Sequence, residues 1–332
     1  MKQHIQLDVS LERILNSGYA AICVFFAVSG LLLIHSFLKT KSESDIRYPW
    51  VHFFTKRIFR IFPLWIVATI MHAVYSGRYN PEIFFKSLFF LDVMTPYSFS
   101  NILAPISWSL YIEEVFYLSF PILFLIIKKD WLIPAGLFCI LTGSLLNNFV
   151  VIPEGYHFSN PFYMLYYFAF GIGAYLLWPG LRRNSIPPWL FYIIFLGQIL
   201  YVALIQKNDK FSEINILFCF LFILQSPKMF SKVTHFLFNG LGKLCFPFYL
   251  VHSIAIGMSR TLFFQIFGIE SNKSLNNLQL FTIFILSLLI SVTASIVLHR
   301  LIERPFIILG AKISLRIQDA INSLSTWRKS LS

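Results

Sequence analysis

The chain has 332 residues, 57% of them hydrophobic and only 13% charged, with a formal net charge of +12. A soluble domain carries roughly a quarter charged residues, so this composition excludes one. Apolar stretches recur at about 20 residues, the thickness of a bilayer core, and predict an all-α polytopic membrane bundle. The four cysteines lie inside apolar runs without CxxC spacing, which argues against a disulfide framework or a zinc site; no metal site is expected.

In chain order, about nine spans are predicted, near 18–38, 58–76, 107–127, 131–151, 161–179, 187–206, 211–226, 243–264 and 277–302. The run 81–94 is too short to cross and carries Lys86, so it reads as interfacial or re-entrant. Lysine and arginine placement sets the orientation. Lys39, Lys41, Lys56, Arg57, Lys128, Lys129, Arg182, Arg183, Lys228, Lys232 and Lys243 fall on one side together with the basic C-terminus, and that side is cytoplasmic. The positive charge reflects this bias and attraction to anionic headgroups in the lipid bilayer; it implies no nucleic-acid partner. Two regions follow: a membrane domain over 1–305 and a tail over 306–332. The tail alternates apolar and basic residues from Phe306 to Trp327 and reads as a helix on the cytoplasmic membrane face. The first span enters from outside with no apolar leader before it, so a further helix is expected upstream of Met1.

The third span holds the most informative stretch, SWSLYIEEVFYLSFP, from Ser107 to Pro121. Two adjacent carboxylates, Glu113 and Glu114, sit inside a run that otherwise reads as spanning. A charge near mid-membrane costs roughly 2.5–3.5 kcal/mol on insertion scales, so such residues face a bundle interior or a wet cavity. A structural ion pair with an arginine is the plainer reading. Neighbours on a helix are about 100° apart, so the two glutamates cannot face one cavity equally.

Six elements together carry a resemblance. They are GYAAICVFFAVSGLLL (Gly18–Leu33, with FFxxSG), KRIFRIFPLW (Lys56–Trp65, RxxRIxP), SWSLYIEEVFYLSFP (WSLxxExxFY), YFAFGIGAYL (Tyr167–Leu176), FPFYLVHSI (Phe246–Ile254, YLxH) and LIERPF (Leu301–Phe306). In this order and spacing the chain resembles the integral-membrane acyltransferase-3 family over nearly its whole length. The resemblance implies transfer of an acyl group, most often acetyl, onto sugars of cell-surface polymers. Acetyl-CoA is then a co-substrate and no cofactor is permanently bound. The expected partners are acyl-CoA and a glycan or lipid-linked sugar acceptor, in a bacterial cytoplasmic membrane. Trp108, Ser109, Glu113, Phe116 and Tyr117 fall on matching positions, so the resemblance implies that Glu113 is required and Glu114 less so; Trp108, Ser109, Glu114, Tyr117 and Tyr249 are expected at the substrate. Family members carry an arginine and a catalytic histidine on a first helix absent here; His4 stands roughly where that histidine would.

Acyl transfer to a hydroxyl needs a base, and histidine titrates near neutrality. His4 and His252 are the candidates, His252 about midway along its span; a neutral histidine bonded to a backbone carbonyl or to Tyr249 is the structural alternative. His35, His52, His72 and His299 lie near span ends and read as interfacial. Arg57 and Arg60, three apart on one helical face, are the candidate donor-phosphate ligands, because arginine forks grip phosphate. Arg60 could also reach Glu113 or Glu114. Glu303 and Arg304 are expected to lock the end of the last span, which Pro305 should stop. Three functions compete: an acyltransferase, a transporter or flippase of a glycan precursor, and a catalytically inactive relative acting as a partner.

Overall fold

A computed structural model describes residues 18–42, 48–93, 102–126, 164, 167–175, 193, 196–197, 232–268 and 275–330. The spans expected at 131–151 and 211–226, most of that at 187–206, and His4 lie outside the described residues. The described residues form helices and no strand, in keeping with an all-α membrane protein. In order these are α1 (Gly18–Ser42), α2 (Pro49–Ser76), α3 (Pro81–Leu88), α4 (Ser107–Ile126), α5 (Lys232–Phe267) and α6 (Asn277–Leu298); a π-helical turn (His299–Glu303) then leads into α7 (Arg304–Ser330). Residues 167–175 are also helical. Four of the described stretches are long and apolar enough to cross a membrane: Ile22–Lys39, Trp50–Ser76, Gly240–Phe267 and a window within Asn277–Leu324. The protein is a multi-pass membrane protein.

Two helices start before the spans expected from the sequence do. α2 begins at Pro49 rather than near 58, and α5 at Lys232 rather than near 243. Hydropathy marks the membrane crossing, whereas lysine and arginine are good helix formers that let a helix continue past it. Pro49 suits the first turn, where its missing N–H has no partner to lose. α2 closes on Gly77, whose φ of 66° is the left-handed conformation glycine reaches freely. α6 opens with a reciprocal capping box between Asn276 and Gln279.

One expectation fails at the other end of α6. Pro305 does not stop the helix: the turn before it widens, the Arg304 N–H reaches the His299 carbonyl, and α7 runs on to Ser330. A proline at the second residue of the new segment sits where a widened turn tolerates its missing donor.

The described fold divides into two compact units. Among the described residues, one holds those from Phe37 to Trp108 and from Leu237 onward; the other holds those up to Ser36 and those between Ser109 and Phe236. In the first, α7 packs along α2. Gly310 lies against the Phe59 side chain with no room for a Cβ, and the buried Ser314 hydroxyl meets His52 Nδ1 at 2.9 Å. Ser314 donates to the Ala311 carbonyl and Lys56 Nζ reaches His52 Nε2 at 3.2 Å, so the ring donates from Nδ1 and accepts at Nε2. The short α3 falls within the run 81–94 that is too short to cross. Asn80 caps it through the Glu82 N–H, and Trp65 of α2 holds its end, donating to the Leu88 carbonyl at 3.1 Å and stacking on Phe90.

In the second unit, α1 and the helical stretch 167–175 meet backbone to backbone. A Cβ on Gly30 would strike the Phe168 carbonyl oxygen, and one on Gly171 would strike that of Ala27. Small residues at such contacts let membrane helices gain dispersion energy where no hydrophobic drive exists between them. Phe168 is then clamped between Phe26, 5.0 Å away by ring centroid, and Phe116 of α4, stacked at 3.9 Å.

Candidate functional site

The aromatic clamp of the second unit positions Glu113. Phe116 lies three residues after Glu113 on α4, so fixing that ring fixes the rotation of the helix. Glu113 is only 7% exposed. Its Oε1 accepts the Tyr117 hydroxyl, one turn on, and the Ser29 hydroxyl of α1 at 3.3 Å. A buried carboxylate is tolerable only when its lone pairs are occupied, and two hydroxyl donors on one oxygen meet part of that need. Tyr117, Trp108 and Ser109 are buried as well, whereas Glu114 is partly buried, as the 100° offset requires. Ser29 was not singled out from the sequence. Its signal was nonetheless present, because Ser29 is the serine of the FFxxSG element and Glu113 the glutamate of WSLxxE.

The first unit holds His252. Its Nδ1 lies 2.6 Å from the Tyr249 carbonyl oxygen on the preceding turn of α5. A carbonyl can only accept, so the neutral ring carries its proton on Nδ1 and keeps the Nε2 lone pair for another proton. The Tyr249 ring leans on the imidazole at 5.4 Å, and the Tyr249 hydroxyl donates to the Ile106 carbonyl at 3.4 Å. α2 faces this turn with His72. His72 bonds the Leu250 backbone, and Ser253 Oγ is 3.5 Å from its Nε2. His72 and His52 are 4% and 6% exposed: each is paired with a polar group on a neighbouring helix, which position along a span does not reveal.

A third group spans the π turn. Glu303 is 2% exposed; its Oε2 accepts from His299 Nδ1 at 2.6 Å, and its Oε1 lies 3.9 Å from Arg60 Nε. The ion-pair partner of Arg60 is therefore Glu303, not the glutamates of α4. Arg60 remains about half exposed, with the far end of its guanidinium beyond the pair. Arg57, one turn earlier, lies over the Phe53 ring at 5.4 Å. The structure thus groups Tyr249 with His252, Glu113 with Tyr117, and Arg60 with Glu303. Among the described residues no cluster of three or more histidine, cysteine, aspartate or glutamate side chains could hold a metal ion.

The family model of the acyltransferase-3 domain matches residues 3–300, and the chain belongs to that family. No curated protein and no solved structure matches it. The protein is a membrane acyltransferase.

Proposed function

We propose that the protein moves an acyl group, acetyl in the simplest case, from cytoplasmic acyl-CoA to a hydroxyl of a surface glycan or its lipid-linked precursor. The membrane is the bacterial cytoplasmic membrane, with the C-terminus on the cytoplasmic side, as the basic loops and tail indicate. The observation that carries this reading is the His252 imidazole, oriented by the Tyr249 carbonyl so that Nε2 is the proton-accepting nitrogen. In the reaction the acceptor oxygen attacks the thioester carbonyl while Nε2 takes the hydroxyl proton. A C–O bond forms, the C–S bond breaks, and the proton passes to the leaving thiolate. As the resemblance implies, Glu113 is required for the reaction, and Trp108, Ser109, Glu114, Tyr117 and Tyr249 serve the substrate. Arg60, with Arg57, grips donor phosphate through the guanidinium edge that Glu303 leaves free. His4 is the alternative base.

The test uses membrane vesicles holding the full chain, labelled acetyl-CoA and the host's glycan fraction. Label should enter the glycan, and His252→Ala should reduce incorporation at least a hundredfold, within the usual range for loss of a general base. No incorporation by a correctly inserted wild-type protein would remove the reading. Full activity of His252→Ala, with loss on His4→Ala, would move the base to His4.

A further inference from the structure

The outward face of α7 carries a row of cations that acyl transfer leaves unused. Arg304, Ile308 and Lys312 recur every four residues and so lie along one side of α7, and Arg300 of the π turn just before it joins them. With Pro305 and Leu309 they line a groove of about 520 Å³. All six residues are exposed and no carboxylate is among them. The other side of α7 is engaged, for Glu303, Gly310 and Ser314 are buried and meet Arg60, Phe59 and His52 of α2. The packing against α2 therefore does not account for the cations.

What the groove can hold follows from its chemistry and level. The 22 residues of α6 are long enough, at about 33 Å, to cross the hydrocarbon core, and Arg300 follows two residues after its end. The groove thus begins where headgroups begin. Ile308 and Leu309, 48% and 42% exposed, stand among the cations rather than on a separate face. A soluble anion would gain from the arginines and leave these side chains in water. A phospholipid satisfies both, with its phosphate on the guanidinium forks and its first acyl carbons on the apolar pair. The π turn and α7, one continuous stretch, supply every wall, so the groove is open along the side from which a bilayer lipid approaches.

We propose that this groove binds the headgroup of an anionic phospholipid, with Arg300, Arg304 and Lys312 on the phosphate and Ile308 and Leu309 on the adjoining acyl carbons. The inference rests on the membrane placement of α6 and α7 and not on the acyl-transfer reading.

The experiment places the full chain in nanodiscs of equal phosphatidylglycerol and phosphatidylcholine, releases it gently, and reads retained lipid by native mass spectrometry. Phosphatidylglycerol should be retained in preference. Arg304→Gln should lower that preference about fivefold, the factor expected for one surface cation, and the triple change Arg300→Gln, Arg304→Gln, Lys312→Gln should abolish it. Arg300→Lys with Arg304→Lys keeps the charge and should keep most of the preference, which separates lost binding from lost folding. Lys86→Gln on α3 should leave it unchanged. An undiminished preference in Arg304→Gln or in a monodisperse triple variant would overturn the proposal. Displacement of the retained lipid by millimolar coenzyme A or inorganic phosphate would overturn it too, by assigning the groove to a soluble phosphate ligand.

Discussion

Gly171→Ala tests whether the contact between α1 and the stretch 167–175 holds the Glu113 site together. The new Cβ would collide with the Ala27 carbonyl oxygen and lie 2.9 Å from both the Ala27 carbonyl carbon and the Leu31 nitrogen. All three are backbone atoms, so no side chain can rotate away. The helices must part by about 1 Å to restore ordinary contact, and overpacking of this kind costs about 1–3 kcal/mol. α1 carries Ser29, whose bond to Glu113 is already 3.3 Å long; parting the helices breaks it, at about 1 kcal/mol more. The better helix propensity of alanine returns up to about 1 kcal/mol. The net expectation is a loss of about 1–3 kcal/mol, read as a fall of several degrees in the thermal unfolding midpoint of the detergent-solubilised protein, together with reduced acyl transfer. Gly240→Ala is the internal control. Gly240 lies inside α5 with nothing within 4 Å of its Cβ position, so that change should stabilise by about 0.5–1 kcal/mol. If Gly171→Ala proved as stable as Gly240→Ala, the backbone approach would not be what seats Ser29 on Glu113.

Glu113→Gln should reduce acyl incorporation at least tenfold at equal membrane expression and Glu114→Gln much less; the reverse order would move the site to Glu114. Arg60→Lys should already impair activity several-fold, because lysine cannot keep the Glu303 contact and present a planar fork to a second anion; the raised KM for acetyl-CoA is the readout. Burial raises the Asp92 carboxyl above its ordinary value, against opposing bonds from the Ser87 hydroxyl and the Val93 and Leu103 backbone. The folded form then holds this proton more tightly than the unfolded form. Its stabilising contribution is complete below the ordinary aspartate range and is lost as pH rises through the raised native value. Asp92→Asn should flatten that dependence and raise the unfolding midpoint at pH 7 relative to wild type; a variant with an unchanged pH profile would refute the assignment.

How much of this was legible in the sequence follows helix periodicity. Four polar groups, Glu113, His252, Glu303 and His52, each have a partner three or four residues away along the chain. Tyr117 serves Glu113, the Tyr249 carbonyl serves His252, His299 serves Glu303, and Lys56 serves His52. Those spacings stand in the sequence, as do the all-α class, the unequal placement of Glu113 and Glu114, and the shortness of α3. Each group also has a second contact from a remote helix: Ser29 for Glu113, Arg60 for Glu303, Ser314 for His52, and the α2 turn bearing His72 for the turn of α5 that carries His252. These pairs are 84 to 262 residues apart. Hydropathy gives the depth of each residue but not which helix it faces, so Arg60 had several carboxylates of matching depth to choose from. The same limit hid His52 and His72, whose partners alone make their burial affordable. Pro305 failed for a different reason: the rule that proline ends a helix assumes four-residue bonding, and a turn that bonds the Arg304 N–H five residues back to His299 escapes it. In a membrane bundle the local partner orients a polar group, and the remote one allows it to be there at all. A reading of such a chain gains most from asking, for each buried charge with a local partner, which other helix can supply the second.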